Sequence, residues 1–166
     1  MREEAKGKTG QPTDRRNKPE RPRDELGRPQ PWGTPNRLTL EPYDDLTLDQ
    51  NHALGIRSFD ERRFFPAHEA WETAWKQAKG TGDEEFFKGL SQLGAGYVHL
   101  LRGNAHGAVR LLRRATSRLQ GFPVGHRGVD TAAVCAAAER DARAVESGEL
   151  RPGEDAPHRA PVIGRG

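Results

Sequence analysis

One short stretch of the sequence carries side chains whose types and spacing could support chemistry. His68 and Glu72 are four residues apart, so in a helix they share one face, with about 5–6 Å between their Cβ atoms. Glu69 lies about a hundred degrees round the same helix, and Trp71 and Trp75 follow on an adjoining stripe. This stretch therefore places an imidazole and a carboxylate side by side.

A second candidate helix adds Gln92 and His99, which share one face because they are spaced by seven residues. A helical hairpin folded about residue 81 would place His68 opposite Gly94, within one or two turns of His99. The side chains expected to cluster between the two helices are therefore His68, Glu72, Gln92 and His99.

Three roles fit this cluster. His68, Glu72 and His99 are a reasonable ligand set for a divalent metal with an open coordination position. The same groups could instead provide hydrolase-like acid/base chemistry, with the histidine tuned by the carboxylate. They could also form a buried hydrogen-bond network that satisfies polar groups between packed helices. The residues alone leave these roles open.

Several known catalytic motifs are not present. The zinc-protease helix motif needs a second histidine where Glu72 stands, and the di-iron bundle needs Glu-x-x-His units that do not occur. Phosphate loops, dinucleotide fingerprints and nucleophile elbows are also missing. The default interpretation is therefore a non-enzymatic interaction module with unknown partners, which could be a homodimer.

A basic row follows on the fourth candidate helix. Arg110, Arg114 and Arg118 recur every four residues opposite an apolar stripe, and Arg113 adjoins them. Guanidinium groups in a row could bind phosphate, which makes a nucleic-acid-associated protein an alternative. The solvated outer face of an amphipathic helix is the simpler explanation, and no aromatic interleaving supports the alternative.

The elements that must position these groups are all helical. Capping boxes are predicted at Thr47-x-x-Gln50, Ser58-x-x-Glu61 and Thr81-x-x-Glu84, each followed by apolar residues at helical spacing. A fourth helix begins after Gly103, and a fifth runs from about Asp130 to Val145. No strand-like alternation competes. The sequence predicts an all-α bundle of about five helices in antiparallel hairpins.

The two ends of the chain are predicted to be tails. Residues 1–45 hold seven of the 12 prolines, and a mean hydropathy of −0.91 indicates that part of the chain is unpacked. We expect a largely disordered arm over 1–45, a helical domain over 46–147 and a disordered tail over 148–166. Trp32 and Tyr43 could anchor the arm on the domain or on a partner.

Composition sets the remaining expectations. The net charge of +3 is a weak argument for nucleic acid. Cys135 is the only cysteine, which excludes an internal disulfide and a cysteine-based zinc site. The first ten residues lack the apolar region of a secretory signal, and no apolar run is long enough to span a bilayer. We therefore expect a cytoplasmic protein with no membrane partner. The remaining histidines have no ligand partners at useful spacing, and we expect them on the surface: His52, His106, His126 and His158.

The stretch Phe64-Phe65-Pro-Ala-His68-Glu69-Ala-Trp71-Glu72-x-x-Trp75 resembles the signature of the bacterial and archaeal domain-of-unknown-function 309 family. Its continuation agrees, through Lys88-Gly89-Leu90-x-Gln92-Leu93 and His99-Leu-x-Arg102-Gly103-Asn104. The resemblance covers about residues 48–122. It implies a compact fold of antiparallel helices and assigns no activity.

The family pattern includes the cluster residues and a turn made of Arg102, Gly103 and Asn104. This sequence departs from the pattern at Pro66, expected to turn His68 slightly, and at Ser91, expected to weaken the apolar run without touching the cluster. Residues 21–34 look like an extension that many bacterial members carry. The resemblance therefore indicates that they wrap onto the domain.

Overall fold

A computed structural model of the chain describes residues 20–164. These residues form a short 3-10 helix and five α-helices, and they contain no strand beyond two isolated bridge pairs. Consecutive α-helices pack against one another, which confirms the predicted all-α bundle. The elements are the 3-10 helix Tyr43–Asp45, α1 Leu48–Asp60, α2 Phe64–Gln77, α3 Glu84–Leu101, α4 Ala105–Leu119 and α5 Thr131–Ser147.

The capping box predicted for the first helix is present, whereas the one predicted for the second helix is not. Thr47 and Gln50 exchange side-chain to backbone hydrogen bonds at the start of α1. The box predicted at Ser58 is wrong, because α1 continues through this residue and α2 begins at Phe64 without a side-chain cap. Both Ser58 and Phe59 are buried, so packing of this last turn keeps it helical.

The third predicted box is replaced by a tight turn. Thr81 donates its hydroxyl to the Ala78 carbonyl and accepts from the Asp83 N–H. The Glu84 carboxylate accepts from the Gly80 N–H, one turn outside α3. The predicted turn residues between α3 and α4 are confirmed, since Gly103 takes a φ of +85° and Asn104 caps α4.

Two glycines in α3 bring three helices close together. A Cβ atom at Gly94 would lie 3.1 Å from the backbone nitrogen of His68 on α2. A Cβ atom at Gly96 would lie 2.8 Å from the side chain of Leu112 on α4. The absence of a Cβ atom therefore allows α2 and α4 to approach the α3 backbone. The predicted hairpin register, with His68 opposite Gly94, is confirmed.

The N-terminal arm crosses one end of the α2–α3 hairpin. A Cβ atom at Gly27 would lie 2.5 Å from the ring of Phe65, and Arg102 donates Nε to the Leu26 carbonyl at 3.0 Å. Arg102 also lies over the Phe65 ring, 5.8 Å from its centroid. This part of the arm therefore wraps onto the domain, as the resemblance indicated, and residues 1–19 lie outside the described residues.

Of the two aromatic residues predicted as anchors in the arm, only one is buried. Tyr43 is buried in the 3-10 helix, whereas Trp32 is 63% exposed. Tyr43 also receives a hydrogen bond at its carbonyl from the buried amide of Asn51 in α1, at 2.9 Å. Tyr43 therefore ties the arm to the first helix.

The C-terminal segment also packs on the helices. The buried carboxylate of Asp141 accepts from the Tyr97 hydroxyl at 2.7 Å and from the Arg159 N–H at 3.0 Å. Asp60 accepts from the N–H groups of Ile163 and Gly164. The predicted domain limits, 46 and 147, stay a prediction, and the structure adds contacts that cross both limits. No helix within residues 20–164 is long and apolar enough to cross a membrane.

Candidate functional site

Three of the predicted site residues converge on the outer side of α2. The Nε2 atom of His68 lies 4.0 Å from Glu69 Oε1 and 3.7 Å from Glu72 Oε2. One nitrogen and two carboxylate oxygens lie within 4.8 Å of one another. The side chains are 26%, 32% and 35% exposed, respectively, so solvent and solutes can reach the cluster.

The protonation of the His68 ring follows from its partner on α3. The Nδ1 atom lies 2.9 Å from the carbonyl oxygen of Ser91, which can only accept a hydrogen bond. Nδ1 therefore carries the proton. In the neutral ring the lone pair is then on Nε2, and this atom faces the two carboxylates.

Ser91 is the residue that sequence reasoning misjudged. Its hydroxyl oxygen lies 3.0 Å from His68 Nδ1, and its carbonyl holds the same atom. The expectation that Ser91 does not touch the cluster is wrong, because the close approach at Gly94 brings this turn of α3 against the His68 ring. Only the pairing of the two helices, which the hairpin register already indicated, could have shown this contact.

The dimensions of the cluster suit a divalent ion. At bond lengths of about 2.1 Å, neighbouring ligand atoms around a metal lie about 3.0–3.4 Å apart. The observed separations of 3.7 and 4.0 Å would have to contract by about 0.3–1.0 Å to reach these values, which rotations of the glutamate side chains can provide. Two carboxylates and a neutral imidazole also balance the charge of a divalent cation.

Gln92 and Trp75 make other contacts. The Gln92 side-chain oxygen accepts from Arg118 Nε at 2.9 Å, which draws it toward α4. The ring of Trp75 lies 5.0 Å from the ammonium group of Lys88, and its buried indole N–H has no hydrogen-bond partner among the described residues. Neither side chain contributes a ligand atom to the cluster on α2.

His99 belongs to the turn between α3 and α4. The Asn104 oxygen accepts from the Gly107 N–H, so its amide group faces His99 and donates to Nδ1 at 2.9 Å. Burial, reinforced by the charges of Arg102 and Arg110, lowers the pKa of His99. His99 is therefore neutral at pH 7.

The third member of the cluster on α2 is therefore Glu69, whereas the sequence analysis predicted His99. That prediction named His68, Glu72 and His99 as metal ligands, whereas the three groups brought together are His68, Glu69 and Glu72. Binding of a metal by any of these residues stays a prediction.

The basic row on α4 is partly neutralised. Arg118 is paired with Glu85, and Arg113 is paired with Glu139 and Glu146. Arg110 and Arg114 are exposed. The row is therefore a mixed surface in which acidic residues of α3 and α5 compensate part of the charge.

The prediction that His52 lies on the surface is wrong. His52 is buried, accepts from the Trp71 indole N–H at 3.1 Å and donates from Nε2 to the Arg127 carbonyl at 2.9 Å. Burial lowers its pKa and keeps it neutral. His52, Gly55 and Phe59 are spaced as one helical face, and this pattern could have identified the burial.

His126 and His158 are only partly exposed, so the surface prediction holds for them in part. His126 pairs with Asp83 at 2.6 Å, and its ring centroid lies 4.7 Å from that of Phe86. Arg127 pairs with Asp83 at 2.7 Å and with Asp49 at 3.0 Å. These pairs attach the loop before α5 to α1 and α3. His158 packs on Phe64 and Tyr97 in the same way, whereas His106 is exposed as predicted.

The fold and the site together define a small all-α domain with a histidine and two glutamates clustered on its second helix. Residues 53–111 match the family described as Domain of unknown function (DUF309), so this part of the chain belongs to that family, as the resemblance implied. The match runs from α1 into α4 and includes every residue of the cluster. No curated protein and no solved structure matches the chain significantly.

Proposed function

We propose that the protein binds a divalent transition-metal ion through His68, Glu69 and Glu72. The observation that carries the proposal is the orientation of His68. Its Nδ1–H is held by the Ser91 carbonyl, which directs the Nε2 lone pair at two carboxylates. Metal-binding histidines commonly donate their other ring N–H to such an acceptor, which fixes the ring and its tautomer.

A purely structural network explains these distances less well. A direct hydrogen bond from Nε2 to a carboxylate would measure about 2.7–3.2 Å, whereas the separations are 3.7 and 4.0 Å. The three groups are also open to solvent, where a polar network contributes little to stability. A cation between them would satisfy all three at once.

The mixture of one nitrogen and two oxygen ligands indicates the type of ion. Imidazole suits zinc, copper, iron or nickel, and carboxylates also suit manganese, whereas magnesium and calcium prefer oxygen ligands. The three protein ligands leave one or more coordination positions for water or a bound molecule.

We propose a binding module and not a serine-type hydrolase. The hydroxyl nearest to His68 belongs to Ser91, which is only 4% exposed, so a substrate cannot reach it as a nucleophile. A nucleic-acid role has less support, because Arg113 and Arg118 are held in ion pairs. A cytoplasmic location stays a prediction.

The test is a calorimetric titration of the untagged, chelator-stripped full chain with Zn²⁺ and with Mn²⁺. We expect one ion per chain, and a protein stabilised by about 2.7 kcal/mol when the free ion is at a hundred times its Kd. His68→Ala and Glu72→Gln should abolish the binding. His106→Ala, which removes an exposed histidine elsewhere, should leave it unchanged. Equal binding by all four proteins, or no binding by the wild type, would refute the proposal.

A further inference from the structure

A stripe along α3 remains half exposed between α2 and α4. The stripe consists of Lys88, Gln92, Ala95 and His99, which lie on one face because they are spaced by four, three and four residues. The opposite side of α3 is covered, since Tyr97 contacts Phe59 of α1 and Asp141 of α5. We call the exposed side of α2, α3 and α4 the three-helix face.

The two edges of the three-helix face carry opposite charges. The α2 edge presents the carboxylates of Glu69 and Glu72, and the α4 edge presents the guanidinium groups of Arg114 and Arg118. Lys88 is drawn onto the ring of Trp75. Arg118 is also paired with Glu85 of its own α3, whereas Arg114 is exposed, so the face is acidic along one side and net basic along the other.

The charged residues of the two edges lie at matching positions along the α3 axis. Gly94 faces His68 on α2, and Gly89 faces Arg118 on α4, where a Cβ atom would lie 3.2 Å from the Arg118 Cβ. Counting along the antiparallel helices from these contacts places Arg118 level with Glu72, and Arg114 level with His68 and Glu69. The two glutamates and the two arginines thus occupy the same segment of the bundle.

We propose that this face binds a second copy of the same chain. A two-fold axis parallel to α3 exchanges the α2 edge and the α4 edge of the face. It leaves every residue at the same position along the α3 axis. It therefore places the α2 edge of each copy over the α4 edge of the other, with Glu69 and Glu72 opposite Arg114 and Arg118. Both charge contacts form twice, as an isologous interface requires.

A second copy fits this face better than nucleic acid does. A nucleic-acid surface must be basic throughout, because it replaces the counterions of a phosphate backbone. Here the acidic edge would repel a phosphate backbone, whereas a copy of the chain is complementary along both edges. Ala95 at the centre of the stripe lets the two α3 helices approach.

The size of the face predicts a weak dimer. Three helices spaced by about 9 Å and about 14 residues long give a face of roughly 500 Å² per copy. The total of about 1,000 Å² lies at the lower end of specific interfaces. The arm covers the end of the face at Phe65 and Arg102, which limits it further. We therefore expect a salt-sensitive dimer of the metal-free chain with a micromolar Kd, and a metal ion bound at Glu69 and Glu72 would neutralise the acidic edge and weaken it.

The test uses two charge-reversed variants of the full chain. One carries Glu69→Lys and Glu72→Lys, and the other carries Arg114→Glu and Arg118→Glu. Each variant should repel its own copy, whereas a mixture restores opposite charges at both contacts. Sedimentation velocity at low ionic strength and in chelator should show dimers for the wild type and for the equimolar mixture. Each variant alone should associate at least about 10-fold more weakly, since four charge contacts are reversed.

The control reverses charges outside the face, through Arg57→Glu on α1 and Glu149→Lys after α5, which are both exposed. This protein should associate like the wild type, and circular dichroism should show that every variant is folded. A wild type that is monomeric at millimolar concentration would overturn the proposal, and so would a mixture that stays monomeric. Because chelator is present throughout, the result is independent of metal binding.

Discussion

Gly94→Ala should damage both the packing of α2 on α3 and the metal site. The added Cβ atom would lie 3.1 Å from the His68 backbone nitrogen and 3.2 Å from its Cα and Cβ atoms. Backbone cannot rotate away, so the helices must separate by a few tenths of an ångström. Overpacking of this kind costs about 1–3 kcal/mol, and the higher helix propensity of alanine returns up to about 1 kcal/mol.

We therefore expect Gly94→Ala to lower the free energy of unfolding by about 1–2 kcal/mol in a urea titration. Separation of the helices also lengthens the 2.9 Å hydrogen bond from His68 to the Ser91 carbonyl. Loss of a hydrogen-bond acceptor that orients a metal ligand weakens metal binding by about 10-fold or more. A Zn²⁺ titration of the variant measures this effect.

Gly96→Ala is the matched control. Its Cβ atom would lie 2.8 Å from the Leu112 side chain on α4, so it crowds the other side of α3. It should destabilise the fold by a comparable amount and leave the affinity for Zn²⁺ unchanged. Equal loss of Zn²⁺ affinity in both variants, or a Gly94→Ala protein as stable as the wild type, would show that the close approach at Gly94 does not hold the site.

Three further predictions concern the titrating and buried groups. Burial lowers the pKa of His52, so its contribution to stability is complete above the unfolded pKa of about 6.5 and is lost as the pH falls below it. His52→Gln should therefore lose less stability than the wild type between pH 7 and 5 in urea titrations. Burial opposes ionisation of Asp83, yet hydrogen bonds from Arg127 and His126 lower its pKa. Its contribution should thus be lost as the pH falls below about 3.9, and Asp83→Asn should flatten this acid limb of the stability curve. Asp141→Asn should cost about 1–3 kcal/mol and speed hydrogen exchange at Arg159, whereas unchanged exchange would show that the carboxylate does not hold this segment.

The helices and their pairing could be predicted because local rules determine them. Thr47, Gly103 and Asn104 act through contacts with residues only a few positions away. The pairing of α2 with α3 followed from a hairpin folded about residue 81, which places His68 opposite Gly94. The box predicted at Ser58 failed because the burial of Phe59, a contact between helices, outweighs a local capping pattern.

The candidate site was only partly predictable. His68 and Glu72 share a helical face, and their proximity follows from spacing alone. Gln92 and His99 share a face too, but their side chains turn toward Arg118 and Asn104. Side-chain direction depends on which polar partner is nearer, and this information lies in tertiary contacts that a periodic pattern does not contain. The contact of Ser91 with His68 could not be predicted for the same reason.

The most direct measurement is a crystal structure of the zinc-loaded protein, with anomalous data collected at the zinc edge. We expect one ion bonded to His68 Nε2 and to oxygens of Glu69 and Glu72 at about 2.0–2.2 Å, with the Nδ1–H still donated to the Ser91 carbonyl. A protein without an ion at these residues, or with the ion held only by other groups, would show that the cluster is not a metal site.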